Sequence, residues 1–270
     1  MVASSDVPLF HTNSIPTLSR SVFAVAIIQT YYRFIFFMTY IIATSNMKGG
    51  VGKTTLTVNL ATCLATLHRK RVLVVDLDTQ ISATLSLLSP QDFVKCRQEH
   101  RTLKSLFQEV LEPSATPKAS VLDVIRPYVC AVKGLDLLPG DLDLYDDFAV
   151  SQSLHQTSLE QGYENFQTAW NELERKMVKR ILDPVIHNYD FIILDCAPGY
   201  HLLTRSSIVN SDFYLMPAKA EPLSVAGIQL LERRIEKLRN IYNPHSAGFQ
   251  GIKIFTKPSH SKGFSKNKNV

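Results

Sequence analysis

The stretch that decides the fold is residues 40–55, which read YIIATSNMKGGVGKTT. A short β-rich run, residues 40–45, precedes a glycine-rich loop, and an apolar-periodic segment, residues 56–67, follows it. Strand, glycine loop and helix in this order are the context of a P-loop, in which glycines let backbone N–H groups turn towards phosphate oxygens. The positive end of the helix adds to that attraction. The stretch therefore predicts a phosphate-binding loop within an α/β protein.

Individual residues of this loop have distinct expected roles. The Lys53 ammonium supplies a charge to the β- and γ-phosphates, and the Thr54 hydroxyl is placed to ligate Mg²⁺. Met47 stands where the general pattern has its first glycine, and an additional lysine, Lys48, follows it. A glycine-rich turn with a chance GKT sequence is the alternative interpretation. The residues expected to bind nucleotide are Lys48, Gly49, Gly50, Val51, Gly52, Lys53, Thr54 and Thr55.

The KGGVGKTT sequence of residues 48–55 resembles the deviant Walker A motif of the ParA/MinD family of ATPases. The resemblance implies that ATP and Mg²⁺ are the cofactors and that ATP favours a homodimer. It further implies that Lys48 reaches the partner's nucleotide across the dimer, so that Lys48 and Lys53 both serve catalysis. A solvated loop lysine is the alternative interpretation of Lys48.

A second motif follows a predicted buried strand. Residues 71–76 read RVLVVD, and residues 77–80 read LDTQ. This segment is similar to the family's DxDPQ signature, with Thr79 in place of the usual proline. The resemblance implies that Asp78 orients the attacking water and that Asp76 lies near the magnesium shell. Open α/β sheets place their chemistry just beyond the carboxyl ends of strands, which is where these acids stand; a solvated loop acid is the alternative for each.

A third motif, YDFIILDCAP, occupies residues 189–198. Four apolar residues ending in Asp195 have the pattern of a Walker B strand, and the resemblance implies that Asp195 holds Mg²⁺ through a water. Cys196 and Ala197 stand where the family usually has Thr-Pro. The segment that follows, residues 199–204, corresponds to the family's segment that responds to nucleotide state.

Strand and helix patterns alternate along the chain, which predicts a mostly parallel, twisted sheet with helices on both faces. Strands are predicted at residues 40–45, 72–76, 135–138, 191–194, 213–216 and 252–255. Helices are predicted at residues 53–67, 102–111, 160–187 and 223–240. The resemblance covers residues 39–250.

Composition excludes several classes of protein. The 270 residues are 45% hydrophobic and 20% charged, enough to bury a core, which excludes a disordered, collagen-like or coiled-coil chain. The four cysteines have no CxxC spacing, which argues against a disulfide framework or zinc finger and favours a reducing cytosol.

Residues 251–270 carry five lysines and no acid, so the net charge of +5 belongs to the ends of the chain. The basic character is therefore no argument that the body of the protein binds nucleic acid.

The two ends differ from the family pattern. Residues 22–44 are apolar enough to raise a membrane span or a secretory signal as alternatives, but Arg33 lies inside the run and residues 40–45 are needed as a strand. We expect three regions: an atypical hydrophobic extension (1–37), a P-loop ATPase domain (38–256) and a basic, disordered tail (257–270). The tail stands where the family has its last helices, which predicts a truncated or altered C-terminus; a natural basic tail is the alternative.

Within the family, the sequence favours a cytoplasmic ParA-type partition protein. This class binds DNA nonspecifically as an ATP dimer, associates with the nucleoid and is stimulated by a ParB-type partner. Basic residues of the helix at 226–240 are the candidate DNA contacts, although a solvated helix face is an equal alternative; they are Arg233, Arg234, Lys237 and Arg239. A membrane partner is not expected.

Other branches remain as alternatives. They are a MinD-like membrane-associated ATPase, a nucleotide-switched scaffold and an inactive remnant. An iron–sulfur protein related to the nitrogenase iron protein would need two cysteines, with Cys130 and Cys196 as the candidates. A bacterial tyrosine kinase is disfavoured because the C-terminal end contains no tyrosine cluster.

Overall fold

The structure is a computed structural model in which residues 38–112, 119–144, 147–160, 162, 166–219, 221–242 and 250–256 are described, with backbone alone for 222–225 and 250–256. The chain divides into two units, Met1–Met38 and Thr39–Val270, and every helix and strand described below lies in the second. The predicted extension (1–37) and tail (257–270) lie outside the described residues.

A six-stranded sheet forms the centre of this unit, and every pair of neighbouring strands is parallel. The spatial order of the strands is β3-β2-β4-β1-β5-β6. The strands are β1 (Tyr40–Thr44), β2 (Val72–Leu77), β3 (Leu135–Leu138), β4 (Phe191–Cys196), β5 (Phe213–Lys219) and β6 (Gln250–Thr256). Each of the six predicted strands is present, and the predicted α/β class with a parallel sheet is confirmed.

Helices cover both faces of the sheet, as the alternating pattern predicts. Leu73 and Val75 of β2 face one buried layer, whereas Val72 and Val74 face the other. Every position of β2 is buried and its first four residues are apolar, which is typical of strands in parallel sheets that are covered on both sides.

The described residues contain nine α-helices. They are α1 (Lys53–His68), α2 (Ser82–Leu87), α3 (Pro90–Gln98), α4 (Leu103–Leu111), α5 (Val121–Val124), α6 (Asp147–Glu160), α7 (Phe166–Leu182), α8 (Leu202–Val209) and α9 (Pro222–Tyr242). Residues of α1 and α2 join the layer of Val72 and Val74, while residues of α4, α7, α8 and α9 join the opposite layer. Among these helices, none combines the length and apolar content that crossing a bilayer requires.

The helix predicted at 160–187 is confirmed only in its central part. Two helices meet this range: α6, which begins at Asp147, contributes only its last residue, Glu160, and α7 covers Phe166–Leu182. Gly162 has a φ of +60°, a left-handed conformation that a right-handed helix cannot contain. The second helix ends at Leu182 because Pro184 disfavours helical geometry in the residue before it.

The register of the sheet fixes the position of the site. Asp195 at the end of β4 lies beside Thr44 of β1 on one side and beside Asp76 of β2 on the other. All three side chains are fully buried. The parallel arrangement thus brings the carboxyl ends of β1, β2 and β4, where the three motifs lie, to one edge of the sheet.

Candidate nucleotide-binding site

The loop between β1 and α1 depends on two glycines with left-handed backbones. Gly50 has a φ of +67° and Gly52 a φ of +94°, conformations that side chains other than glycine rarely adopt. Asn46 anchors the start of the loop: its amide donates to the carbonyl of Pro217 at 2.7 Å and accepts from the N–H of Lys48 at 2.9 Å. The loop is therefore fixed to the end of β5 as well as to β1.

Lys53, the first residue of α1, is 6% exposed, and its Nζ donates to the carbonyl of Lys48 at 3.4 Å. Burial lowers the pKa of its ammonium below the ordinary value, and the carboxylates of Asp195 and Asp78 act in the opposite direction. The loop thus surrounds a buried cation that has two acidic neighbours.

Asp195 accepts a hydrogen bond at each carboxylate oxygen. The hydroxyl of Thr54 donates to Oδ2 at 2.7 Å, and the hydroxyl of Thr57 donates to Oδ1 at 3.1 Å. Burial raises the pKa of Asp195 to about 6, although both hydroxyls and the ammonium of Lys53 act against that rise. The structure therefore brings Thr54 and Asp195 together, as the motifs predict, and adds Thr57, which they do not.

Asp76 is enclosed on all sides. The N–H and the hydroxyl of Thr84 each donate to its Oδ2 at 2.7 Å, and a Cβ on Gly140 would lie 2.7 Å from its carbonyl oxygen. Burial, followed by the charge of Asp195, raises the pKa of Asp76 to about 7. The hydroxyl of Thr84 also accepts from the N–H of Gly140 at 3.0 Å, so Thr84 connects Asp76 to the end of β3.

Asp78 lies just beyond β2 and is 8% exposed. Its carboxylate accepts from the N–H of Gln80 at 3.0 Å, and its carbonyl accepts from the N–H of Ile81 at 2.8 Å. These bonds form a tight turn that holds Asp78 between the end of the strand and the start of α2. It is not a solvated loop acid.

Lys48 is an exposed residue of the candidate site. Its Nζ forms an ion pair with the carboxylate of Glu221, across 173 residues of sequence. The two side chains are 44% and 40% exposed. Within a single chain, Lys48 therefore has a partner on the segment that leads from β5 into α9.

The segment after β4 contacts both the loop and α9. Two guanidinium groups lie over the ring of Tyr200, with Arg205 at 5.3 Å and Arg234 at 5.2 Å from its centroid. Its hydroxyl donates to the carbonyl of Arg234 at 2.9 Å, and the guanidinium of Arg234 lies 3.9 Å from the sulfur of Met47 in the loop. Arg234 is thus directed towards the candidate site.

The other basic residues of α9 differ from Arg234. Arg233 and Lys237 are exposed, and Arg233 donates to the carbonyl of Gln229 at 3.3 Å. Arg239 is half-buried and forms an ion pair with Glu236 at 3.2 Å. The apolar stripe expected on this helix is confirmed as buried: Ile228, Leu231, Ile235 and Leu238.

These residues fit Mg²⁺ and a phosphate chain. The hydroxyl of Thr54 and the carboxylates of Asp76 and Asp195 are the hard oxygen donors that Mg²⁺ prefers. Within the described residues, no group of three or more His, Cys, Asp or Glu side chains is placed to hold a metal ion. Cys196, by contrast, is fully buried, and burial raises the pKa of its thiol to about 12.

Comparison with known proteins agrees with this geometry. A protein-family model described as an AAA domain matches residues 39–247. An uncharacterised protein of Mycobacterium tuberculosis is 33% identical over 204 residues, which cover 76% of this chain and 54% of that protein. The sporulation initiation inhibitor protein Soj of Bacillus subtilis is 32% identical over 207 residues, which cover 76% of this chain and 68% of Soj. The chain therefore spans about half the length of the mycobacterial relative.

Solved structures show the same fold. A plasmid partition protein from Borrelia burgdorferi has a TM-score of 0.59 at 22% identity, with 85% of this chain and 84% of that chain covered. Cobyrinic acid a,c-diamide synthase from Mycobacterium smegmatis, with bound ADP and magnesium, has a TM-score of 0.56 at 25% identity, with 80% and 74% covered. The family model, the relatives and the loop that carries Lys48 agree: the chain belongs to the ParA/MinD family of P-loop ATPases.

Proposed function

We propose that the protein is a Mg²⁺-dependent ATPase of the ParA type. The observation that carries the proposal is the convergence of Lys53, Thr54 and Asp195, in which the first turn of α1 meets the end of β4 beside a buried ammonium. This arrangement joins two motifs that are 141 residues apart in sequence. A glycine-rich turn that matched the motif by chance would not be expected to contact a buried acid on a distant strand.

Backbone N–H groups of the loop and the N-terminus of α1 hold the phosphates of ATP, with Lys53 beside the β- and γ-phosphates. The nucleotide-binding residues are Lys48, Gly49, Gly50, Val51, Gly52, Lys53, Thr54 and Thr55. Mg²⁺, when bound, neutralises part of the charge on the phosphate oxygens. Thr54 would supply an oxygen ligand directly, and Asp195 and Asp76 would hold the ion through its water.

Asp78 orients the water that attacks the γ-phosphate. Its turn beyond β2 keeps the carboxylate at the carboxyl edge of the sheet, near Lys53. Catalysis of this kind rests on positioning and charge stabilisation, so the protein need not form a covalent intermediate. The catalytic residues in this proposal are Lys48, Lys53 and Asp78.

ATP favours a homodimer in which Lys48 leaves Glu221 and reaches the partner's nucleotide. The dimer binds DNA nonspecifically through basic residues of α9, moves a plasmid, chromosome or other cargo in the cytoplasm, and is released when a ParB-type partner accelerates hydrolysis. Soj is the relative whose similarity favours this branch of the family. The exposed Arg233 and Lys237 are the strongest candidates for DNA contact, because their charges face solvent.

Binding of a fluorescent ATP analogue to the full chain tests the phosphate-binding part of the proposal. Lys53→Ala removes a charged donor, whose hydrogen bonds are each worth about 1.5–3 kcal/mol, so the affinity should fall by roughly 100-fold. Lys70→Ala is the matched control, since Lys70 is an exposed lysine just beyond the other end of α1. Wild-type affinity in the Lys53 variant would refute the assignment of this loop.

A further inference from the structure

Four of the five threonines of α1 donate side-chain hydrogen bonds, and these bonds go to two kinds of partner. Thr62 and Thr66 each donate to the backbone carbonyl four residues earlier, at 2.8 and 2.7 Å, which is the usual local bond of a helical threonine. Thr54 and Thr57 instead donate to the two oxygens of Asp195. Since the two residues are three positions apart, they lie on the same face of the helix.

Thr57 cannot serve as a phosphate contact in the way that Thr54 can. It lies one turn further from the loop, and its side chain is completely buried. Its hydroxyl reaches Oδ1 of Asp195, the oxygen that Thr54 leaves open. Any influence of Thr57 on the nucleotide site must therefore pass through Asp195.

We propose that Thr57 is a positioning residue that fixes the carboxylate of Asp195 for the magnesium site; this inference rests on the proposed function. The hydrogen bond from Thr57 to Oδ1 opposes rotation of the carboxylate about its last torsion and so keeps Oδ2 directed at the hydroxyl of Thr54. The Thr54 hydroxyl can then donate to Asp195 while its lone pairs remain available to the metal. Residues that orient metal ligands in this way typically change metal affinity by about 10–100-fold when removed.

Three variants of the full chain separate positioning from packing. Thr57→Val keeps the shape of the side chain but removes its hydroxyl, and Thr57→Ser keeps the hydroxyl. Thr62→Val is the matched control, because it removes a hydroxyl of the same helix that bonds only to the backbone. Mn²⁺ serves as the probe of the metal site: its binding to the protein–ADP complex is titrated by electron paramagnetic resonance, and ADP affinity is measured separately in EDTA.

We expect Thr57→Val to weaken Mn²⁺ binding by about 10–100-fold with unchanged ADP affinity in EDTA. Thr57→Ser and Thr62→Val should bind Mn²⁺ like the wild type. Wild-type Mn²⁺ affinity in Thr57→Val, or a loss as large in Thr57→Ser, would overturn the proposal. If Thr57→Val fails to fold by circular dichroism, comparison of Thr57→Ala with Thr57→Ser decides the question by the same criterion.

Failure of the underlying function gives a different result. A wild-type chain that binds no ADP in EDTA or in Mn²⁺ would refute the nucleotide site itself. A wild-type chain that binds ADP and Mn²⁺, with Thr57→Val equal to it, refutes only the positioning by Thr57.

Discussion

The carboxyl edge of the sheet and the surface of α9 both carry charged residues, but they hold them differently. Asp76 and Asp195 are completely buried, Lys53 is nearly so, and each has a hydrogen-bond partner outside its own element. Arg233 and Lys237 are exposed, and Arg233 donates to a carbonyl of its own helix. A buried charge needs a partner, so its neighbours define what it can do. An exposed charge is compatible with DNA contact and with simple solvation alike.

Arg234 lies on α9, but its contacts differ from those of the other basic residues of that helix. Helical periodicity places it with the other basic residues of α9, away from the apolar stripe. In the structure its guanidinium packs on Tyr200 and reaches Met47 of the loop. Arg234 therefore contacts the loop of the candidate nucleotide-binding site.

The largest expected effect separates nucleotide binding from turnover within the buried region. Asp78→Asn should reduce ATP hydrolysis by about 100-fold or more, the usual contribution of a residue that positions or activates a reacting water. ATP affinity should be retained because Lys53 and the loop are unchanged. Phosphate release and binding of a fluorescent ATP analogue, measured on the same sample, check both statements.

Asp183→Asn is the control for this prediction, since Asp183 is half exposed and pairs with Lys179 on the surface. Hydrolysis near the wild-type rate in the Asp78 variant would show that the turn after β2 has a structural role only.

The second effect concerns Lys48, whose side chain is exposed and pairs with Glu221 within one chain. Lys48→Ala should raise the dissociation constant of the ATP-dependent dimer by about 30-fold or more, because truncating one partner of a buried interfacial charge pair costs at least about 2 kcal/mol. Light scattering with and without ATP measures the dimer. A dimer as stable as the wild type would indicate that the lysine does not cross the interface.

The third prediction distinguishes the exposed basic residues of α9 from Arg234. The double variant Arg233→Gln, Lys237→Gln should lower the salt dependence of DNA binding by about one unit of slope for each phosphate that the variant no longer neutralises. Arg234→Gln should leave that slope unchanged and instead cost about 0.5–1 kcal/mol of folding stability, because it removes the cation–π contact of this guanidinium with the Tyr200 ring. Fluorescence anisotropy on duplex DNA at several salt concentrations and thermal unfolding provide the two measurements. A reduced slope in the Arg234 variant would place that residue on the DNA surface after all.

The parts of the site predictable from sequence are those that depend on neighbouring residues. The glycines and Lys53 form one contiguous motif, and the apolar run of β2 ends in Asp76, so strand, loop and acid could be assigned together. Parallel strands then require that Asp76 and Asp195 share an edge, as the register confirms.

The remaining contacts join segments that no local pattern relates. Thr84 holds Asp76, Thr57 holds Asp195 and Asn46 holds the end of β5, yet each is a common polar residue within an ordinary helix or loop. The periodicity of α9 identified its buried stripe, but it could not show that the guanidinium of Arg234 would pack on the ring of Tyr200. Sequence reasoning therefore predicted the chemistry of the site better than the contacts that orient it.

The smallest expected effect concerns the ion pair of Lys48 with Glu221, which combines features of both regions: it belongs to the nucleotide site but lies in solvent. Pairs of this exposure are worth about 0–1 kcal/mol, so Glu221→Gln should strengthen ATP-dependent dimerisation by no more than about fivefold. Dimerisation should become stronger because Lys48 must leave Glu221 before it can reach a partner's nucleotide. The variant removes the carboxylate charge that holds Lys48 in the single chain. Added salt should shrink the difference between variant and wild type, since exposed pairs are screened. Weaker dimerisation in the Glu221 variant would instead indicate that this carboxylate serves the dimer itself, and Lys48 would then keep its partner when ATP binds.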